Sequence, residues 1–141
     1  MKILIAEDEM AIGNDYKLIL ESRNHQVILA RDGEQCVLAY EKVHRAMHSE
    51  FPSTEDRTPF DLVVLDFRMP KKDGVDVAKH ILTICPRQRI IFATAYTLDA
   101  LDGLMKKIQR SVEVLQKPFD LDAFADMIED VGPKHVAGQN A

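Results

Sequence analysis

Five short apolar runs punctuate the chain: Ile3-Leu4-Ile5-Ala6, Val27-Ile28-Leu29-Ala30, Leu62-Val63-Val64-Leu65, Ile90-Ile91-Phe92-Ala93 and Val112-Glu113-Val114-Leu115. The first four are almost uninterrupted, as expected of strands covered on both faces of a parallel sheet. After each run, apolar residues recur with helical spacing. The stripes are Ile12, Tyr16, Ile19 and Leu20; Cys36, Tyr40, Val43 and Met47; Val75, Ala78, Ile81, Leu82 and Cys85; Leu98, Leu101, Met105 and Ile108; and Leu121, Phe124, Ile128 and Val131. Punctuation agrees with this division. Asp32-Gly33-Glu34-Gln35 has the form of a capping box opening the second helix. Pro86 ends the third helix, and Gly132-Pro133 ends the fifth.

Five strand–helix units in succession predict an α/β domain with a parallel sheet and helices on both faces. Right-handed crossovers restrict the arrangements, but periodicity alone does not choose the strand order. One domain is expected over residues 1–131. Within it, residues 49–59 (SEFPSTEDRTP) form an extended polar loop that could be a contact site or slack, and slack is the favoured reading because lengthening a loop costs little entropy. Residues 132–141 are expected to be a disordered tail. A chain of 141 residues is long enough to bury a core without covalent staples.

Composition then narrows the chemistry. The chain is 46% hydrophobic and 29% charged, with a net charge of −5 and the acids and bases interspersed. The longest basic clusters, Lys71-Lys72 and Lys106-Lys107, are too short for a phosphate-binding surface, so direct nucleic-acid binding is not expected. The two cysteines, Cys36 and Cys85, lie in apolar helical patterns and read as reduced thiols of a cytoplasmic protein. No apolar run reaches the length of a signal peptide or a membrane span. The initial Met1 and the polar tail suggest a free-standing protein, with a piece of a longer chain as the alternative. His44 and His48 have the i, i+4 spacing of a zinc pair, but with no third ligand nearby they read as a solvated helix face. The chain has no glycine-rich phosphate loop of either common type, which disfavours an NTPase or a dinucleotide enzyme.

In an open parallel sheet, ligands bind at the carboxyl ends of the strands. Strand one ends in Glu7-Asp8, with Glu9 next; strand three ends in Asp66; strand four in Ala93-Thr94-Ala95; strand five in Gln116-Lys117-Pro118. Taken singly, Asp8 or Glu9 could simply cap the following helix. Together the groups are more specific. Carboxylates gathered at one edge repel unless a cation lies between them, and hard oxygen ligands suit Mg²⁺. A carboxylate is also a known nucleophile for forming an acyl phosphate. Lys117 offers a point charge and Thr94 a hydroxyl donor to phosphoryl oxygens.

These segments resemble response-regulator receiver domains over about residues 2 to 131. The match rests on Ile3 to Glu9 (ILIAEDE), Asp61 to Pro70 (DLVVLDFRMP), Asp73-Gly74, Thr94-Ala95 and Lys117-Pro118-Phe119, in this order and spacing. The resemblance implies a flavodoxin-like receiver fold, an open five-stranded parallel sheet in the order 2-1-3-4-5. It further implies that Asp66 is the phosphoacceptor. Glu7, Asp8, Asp66 and the backbone carbonyl of Arg68 would hold Mg²⁺, with Mn²⁺ as a substitute. Thr94, Ala95 and Lys117 would bind the phosphoryl group and carry the switch, and the bond before Pro118 would be cis. Gly74 would permit a close turn before the third helix.

Two positions depart from the commonest family pattern. The acid pair is Glu7-Asp8 where many relatives have two Asp, and a glutamate can still reach a metal through water. Val114 stands where many relatives carry an aromatic output switch. Arg68 and Tyr96 lie two residues after Asp66 and Thr94, and their bulk is expected to slow hydrolysis of the acyl phosphate. The implied function is a signalling switch, not an enzyme beyond its own phosphorylation and dephosphorylation. The implied partners are a sensor histidine kinase or phosphotransfer protein, and an output protein at the face made by the fourth helix, fifth strand and fifth helix. Two alternatives are a Mg²⁺-dependent phosphohydrolase with an Asp nucleophile and a degenerate receiver that only binds. The first usually needs a second Asp where this chain has Arg68; the intact acid, Thr and Lys set argues against the second.

Overall fold

The structure is a computed structural model that describes residues 1–50, 57–67, 69, 71–94, 113–116 and 120–131. Five strands, β1 (Lys2–Ala6), β2 (Gln26–Ala30), β3 (Leu62–Leu65), β4 (Ile90–Thr94) and β5 (Glu113–Gln116), form one sheet in the order β2-β1-β3-β4-β5. Every neighbouring pair is parallel. The described helices are α1 (Met10–Ser22), α2 (Gly33–Glu50), α3 (Gly74–Ile84) and α4 (Leu121–Val131). Here α4 is the fifth helix of the sequence pattern. The fourth, at Leu98 to Ile108, and the expected tail at 132–141 lie outside the described residues.

Successive strand residues point to opposite faces, so each strand supplies two cores. On β1, Leu4 and Ala6 enter one core, with Cys36 and Tyr40 of α2 and Ala78 and Ile81 of α3. Ile3 and Ile5 enter the other, with Tyr16 and Leu20 of α1 and Phe124 and Ile128 of α4. In that second core the rings of Tyr16 and Phe124 stack with centroids 4.1 Å apart. Burial on both faces is why the runs of β1, β3 and β4 show no alternation, whereas on the edge strand β2 Ile28 is exposed.

The second helix differs from expectation at both its ends. The second helix continues through Ser49 and Glu50, so the loop begins later than position 49. Neither residue breaks a helix, and the first strong stop is Pro52, which disfavours helical backbone at the residue before it. The capping box is also offset. Asp32 Oδ1 accepts from Gln35 N at 2.7 Å, but Gln35 Oε1 accepts from Arg31 N at 3.0 Å, one residue before the reciprocal position.

Two polar ties carry no local sequence signal. Gln88, buried just before β4, accepts from the Tyr40 hydroxyl at 2.8 Å and donates to the Phe60 and Arg89 carbonyls at 2.9 and 3.1 Å. It thereby joins α2 to the entrances of β3 and β4. On the opposite layer, Arg23 after α1 reaches Asp126 at 2.7 Å, Glu129 at 3.0 Å and Asp122 at 3.5 Å on α4. His25 Nε2 donates to Glu129 at 2.8 Å, and this bond, with help from Arg23, holds the Glu129 carboxyl below the usual carboxylate range.

Removing the Tyr40 hydroxyl leaves the buried Gln88 oxygen without its donor. Tyr40→Phe is therefore expected to lower stability by about 1–3 kcal/mol, read as a lower urea midpoint with unchanged slope.

Candidate functional site

The centre of the sheet sets the site. β1 and β3 are neighbours although β2 lies between them in sequence, and their register aligns Ala6 with Leu65. The next residues, Glu7 and Asp66, therefore leave the sheet side by side. Backbone bonds fix both: Asp66 N donates to Ala6 O at 3.3 Å, and Glu7 N donates to Ala30 O at 3.0 Å. Glu7, Asp8 and Asp66 each offer a carboxylate oxygen, and these atoms lie within 4.8 Å of one another. Glu7 is buried, Asp66 half-buried and Asp8 exposed, so the cluster has a closed base and an open mouth.

The simple capping role for these acids is not observed. Glu9 is the N-cap residue of α1, and its side chain makes no cap bond. Its backbone N–H instead donates to Glu7 Oε2 at 3.3 Å. Three carboxylates this close repel one another, and hard oxygen donors open to solvent on one side suit a small divalent cation. The donor set thus fits Mg²⁺.

The turn after β3 is built against this cluster. Phe67 stacks on Phe92 of β4 with ring centroids 4.2 Å apart, anchoring the residue that follows Asp66. Asp73 caps α3 by accepting from Asp76 N at 2.9 Å. Gly74 is needed for space rather than for an unusual φ: a Cβ there would lie 2.2 Å from Asp66 O, whereas the left-handed residue of the turn is Lys71, with φ 70°. A second close approach secures the same turn, since a Cβ on Gly33 would lie 1.9 Å from Lys72 O. Asp32, buried beside Gly33, turns its other oxygen to Lys71 Nζ at 3.8 Å. Sequence reasoning saw Asp32 only as a cap. Its contact to Lys71 spans two loops and leaves no local trace.

The remaining expected site residues divide as follows. Thr94 ends β4, and continuing the β3–β4 register sets its backbone one step past the level of Asp66. Val114 lies half-buried on β5 against the core under α2 and α3. Arg68, Ala95, Tyr96, Lys117 and Pro118 lie outside the described residues.

An open 2-1-3-4-5 sheet with acids crowded at the strand order's switch point defines a doubly wound domain with a polar site at its carboxyl edge. The chain belongs to the response regulator receiver domain family, which it matches over residues 3–129. It is 29% identical over 137 residues to sporulation initiation phosphotransferase F of Bacillus subtilis, covering 94% of each chain. It is 30% identical over 133 residues to the transcriptional regulatory protein RprY of Bacteroides fragilis, covering 93% of this chain but 49% of that one. The fold is that of chemotaxis protein CheY4 of Vibrio cholerae, with a TM-score of 0.74 at 20% identity over 92% of this chain and 97% of that one. It also matches a CheX–CheY–BeF3–Mg²⁺ complex from Borrelia burgdorferi, with a TM-score of 0.71 at 24% identity over 93% and 88% of the two chains. Among the described residues, no helix is long and apolar enough to cross a membrane.

Removing one of the three like charges should relieve repulsion when no metal is present. In chelator at low salt, Asp8→Asn is expected to raise stability by about 0.2–1 kcal/mol, the scale of an exposed charge pair. The gain should shrink as added salt screens the cluster, measured by urea unfolding at two ionic strengths.

Proposed function

We propose that this receiver domain accepts a phosphoryl group on Asp66 from a phosphohistidine of a sensor histidine kinase or phosphotransfer protein, and so switches its protein contacts. The observation that supports this reading is the convergence of the Glu7, Asp8 and Asp66 carboxylates at the paired ends of β1 and β3. Asp66 is half-buried and follows directly from a buried strand, so its carboxylate has little freedom to move. That restriction favours a reaction whose main demand is positioning.

In the proposed transfer, an Asp66 carboxylate oxygen forms a bond to phosphorus as the bond from phosphorus to the donor imidazole nitrogen breaks. The electron pair leaves with the imidazole. Mg²⁺, held by Asp66, Asp8, the Arg68 carbonyl and, through water, Glu7, would supply positive charge against the phosphoryl oxygens. Thr94 and Ala95 would donate hydrogen bonds to the product, from the hydroxyl and the backbone N–H. Lys117 would move from the acid cluster to the phosphoryl group. The added charge then biases a two-state equilibrium read by an output protein, at the face made by the expected fourth helix, β5 and α4. The reaction acts on the domain itself and turns over no other substrate. The setting of such a relay is the cytoplasm.

Incubation with Mg²⁺ and acetyl phosphate should add the mass of one phosphoryl group to the intact protein. Asp66→Asn should abolish the adduct, and chelator should suppress it in the wild type. An adduct of undiminished yield in Asp66→Asn would refute the assignment.

Side-chain bulk beside the phosphoacceptor carries a second expectation. The phosphorylated Arg68→Ala, Tyr96→Ala double variant should lose its phosphoryl group faster than the wild type, followed by intact mass after removal of the donor. Equal or slower decay would remove any shielding role for these two residues.

A further inference from the structure

The two helical layers differ in charge. On the α1–α4 side, α4 carries Asp122, Asp126, Glu129 and Asp130 with no basic residue between them. On the other side, α2 and α3 enclose a groove of about 650 Å³ lined by Lys71, Lys72 and Lys79. The acids in the lining are Glu34 and Asp76, while Asp32 and Glu41 lie just outside it against Lys71 and His80, so the positive charge of the groove is that of Lys72 and Lys79. Lys71 meets Asp32 and Glu34 only at 3.8 and 4.0 Å. Among the described residues, Lys72 and Lys79 form no ion pair. Their ammonium groups are available to a ligand.

The groove also has an apolar wall. Val37 is buried at its base, and Leu38 beside it, in the second turn of α2, is 59% exposed. An exposed leucine alone is ordinary. Beside uncommitted lysines in a concave surface, it has the mixed character of a peptide-binding groove, in which apolar contact gives affinity and charge gives steering.

We propose that the α2–α3 groove is a docking surface for an acidic segment of a partner protein, one apolar side chain of which sits against Leu38 while its carboxylates pair with Lys72 and Lys79. The surface is distinct from the face assigned above to output, and it does not depend on phosphorylation of Asp66. It is nevertheless joined to the acid cluster through the backbone. Lys71 and Lys72 lie on the turn that leaves Asp66, and that turn is wedged against Gly33 of α2 and Asp66 O. An occupant of the groove would therefore rest on the loop that frames the carboxylates.

The test uses a display library of random dodecapeptides selected on the full chain and counter-selected on a Leu38→Ser, Lys79→Glu double variant. The best peptide is then measured by fluorescence anisotropy. The enriched peptides should be rich in Asp and Glu around a Leu, Ile, Phe or Met. Binding should weaken by about tenfold or more in Leu38→Ser and in Lys72→Glu, Lys79→Glu separately, the scale of a truncated interface anchor, and should fall as salt rises. The substitutions at exposed Leu38 and Lys79 should leave the melting temperature nearly unchanged. The milder Lys79→Gln gives an independent reading if a charge reversal disturbs folding. Failure to enrich peptides, enrichment of basic or neutral ones, or binding unaffected by these variants overturns the proposal. So does a concentration-dependent dimer in sedimentation velocity that the same variants abolish, since the groove would then belong to a second copy of the chain.

Discussion

Parallel pairing between β1 and β3 forces like charges together. Their backbones are hydrogen-bonded in register up to Ala6 and Leu65, so the next residues cannot move apart without breaking the sheet. Those residues carry carboxylates, and Asp8 adds a third within 4.8 Å. The sheet gains nothing from this arrangement. Burying a carboxylate costs free energy that an apolar side chain at the same position would not. A stable domain that gathers carboxylates at the carboxyl ends of two buried strands keeps them for use, because local rules are broken mainly at functional sites.

The surrounding structure holds that conflict in place through close backbone contacts more than through side-chain bonds. Gly74 lets the start of α3 lie on Asp66 O, and Gly33 lets the start of α2 lie on Lys72 O. Two turns at the carboxyl edge are thus stacked, the β2–α2 turn on the β3–α3 turn, and the second of them rests on the backbone of Asp66. Phe67 and Phe92 tie the same turn down into the core. Among the described residues, the Asp66 backbone has few soft directions in which to relax, because packed elements shift between discrete arrangements rather than deform continuously.

Charge is divided between the two faces of the sheet. On the α1–α4 face, Arg23 alone answers three acids of α4, and His25 shares Glu129 with it. On the α2–α3 face, lysines outnumber the acids of the groove. The core is apolar on both sides, so the asymmetry is a property of the helix surfaces. Partners of opposite charge would be steered to opposite sides of the domain.

Local pattern in the chain determined a great deal. Unbroken apolar runs such as Leu62–Leu65 announced strands buried on both faces, and the stripes through Tyr16, Tyr40 and Ile81 announced the helices that cover them. The acids and the Asp73-Gly74 step were legible because they fall at strand ends and before a helix, where position along the chain already implies position in the fold. Tertiary structure alone decided what joins distant segments. Strand order is invisible to periodicity, since every buried strand reads alike. The Gln88–Tyr40 bond, the Arg23–α4 contacts and the Asp32–Lys71 approach each link residues 39 or more positions apart, and no local propensity records them. Gly74 shows the boundary between the two kinds of knowledge. Its need was readable from the sequence, but its reason, room for Asp66 O rather than freedom of φ, exists only once β3 and α3 have met.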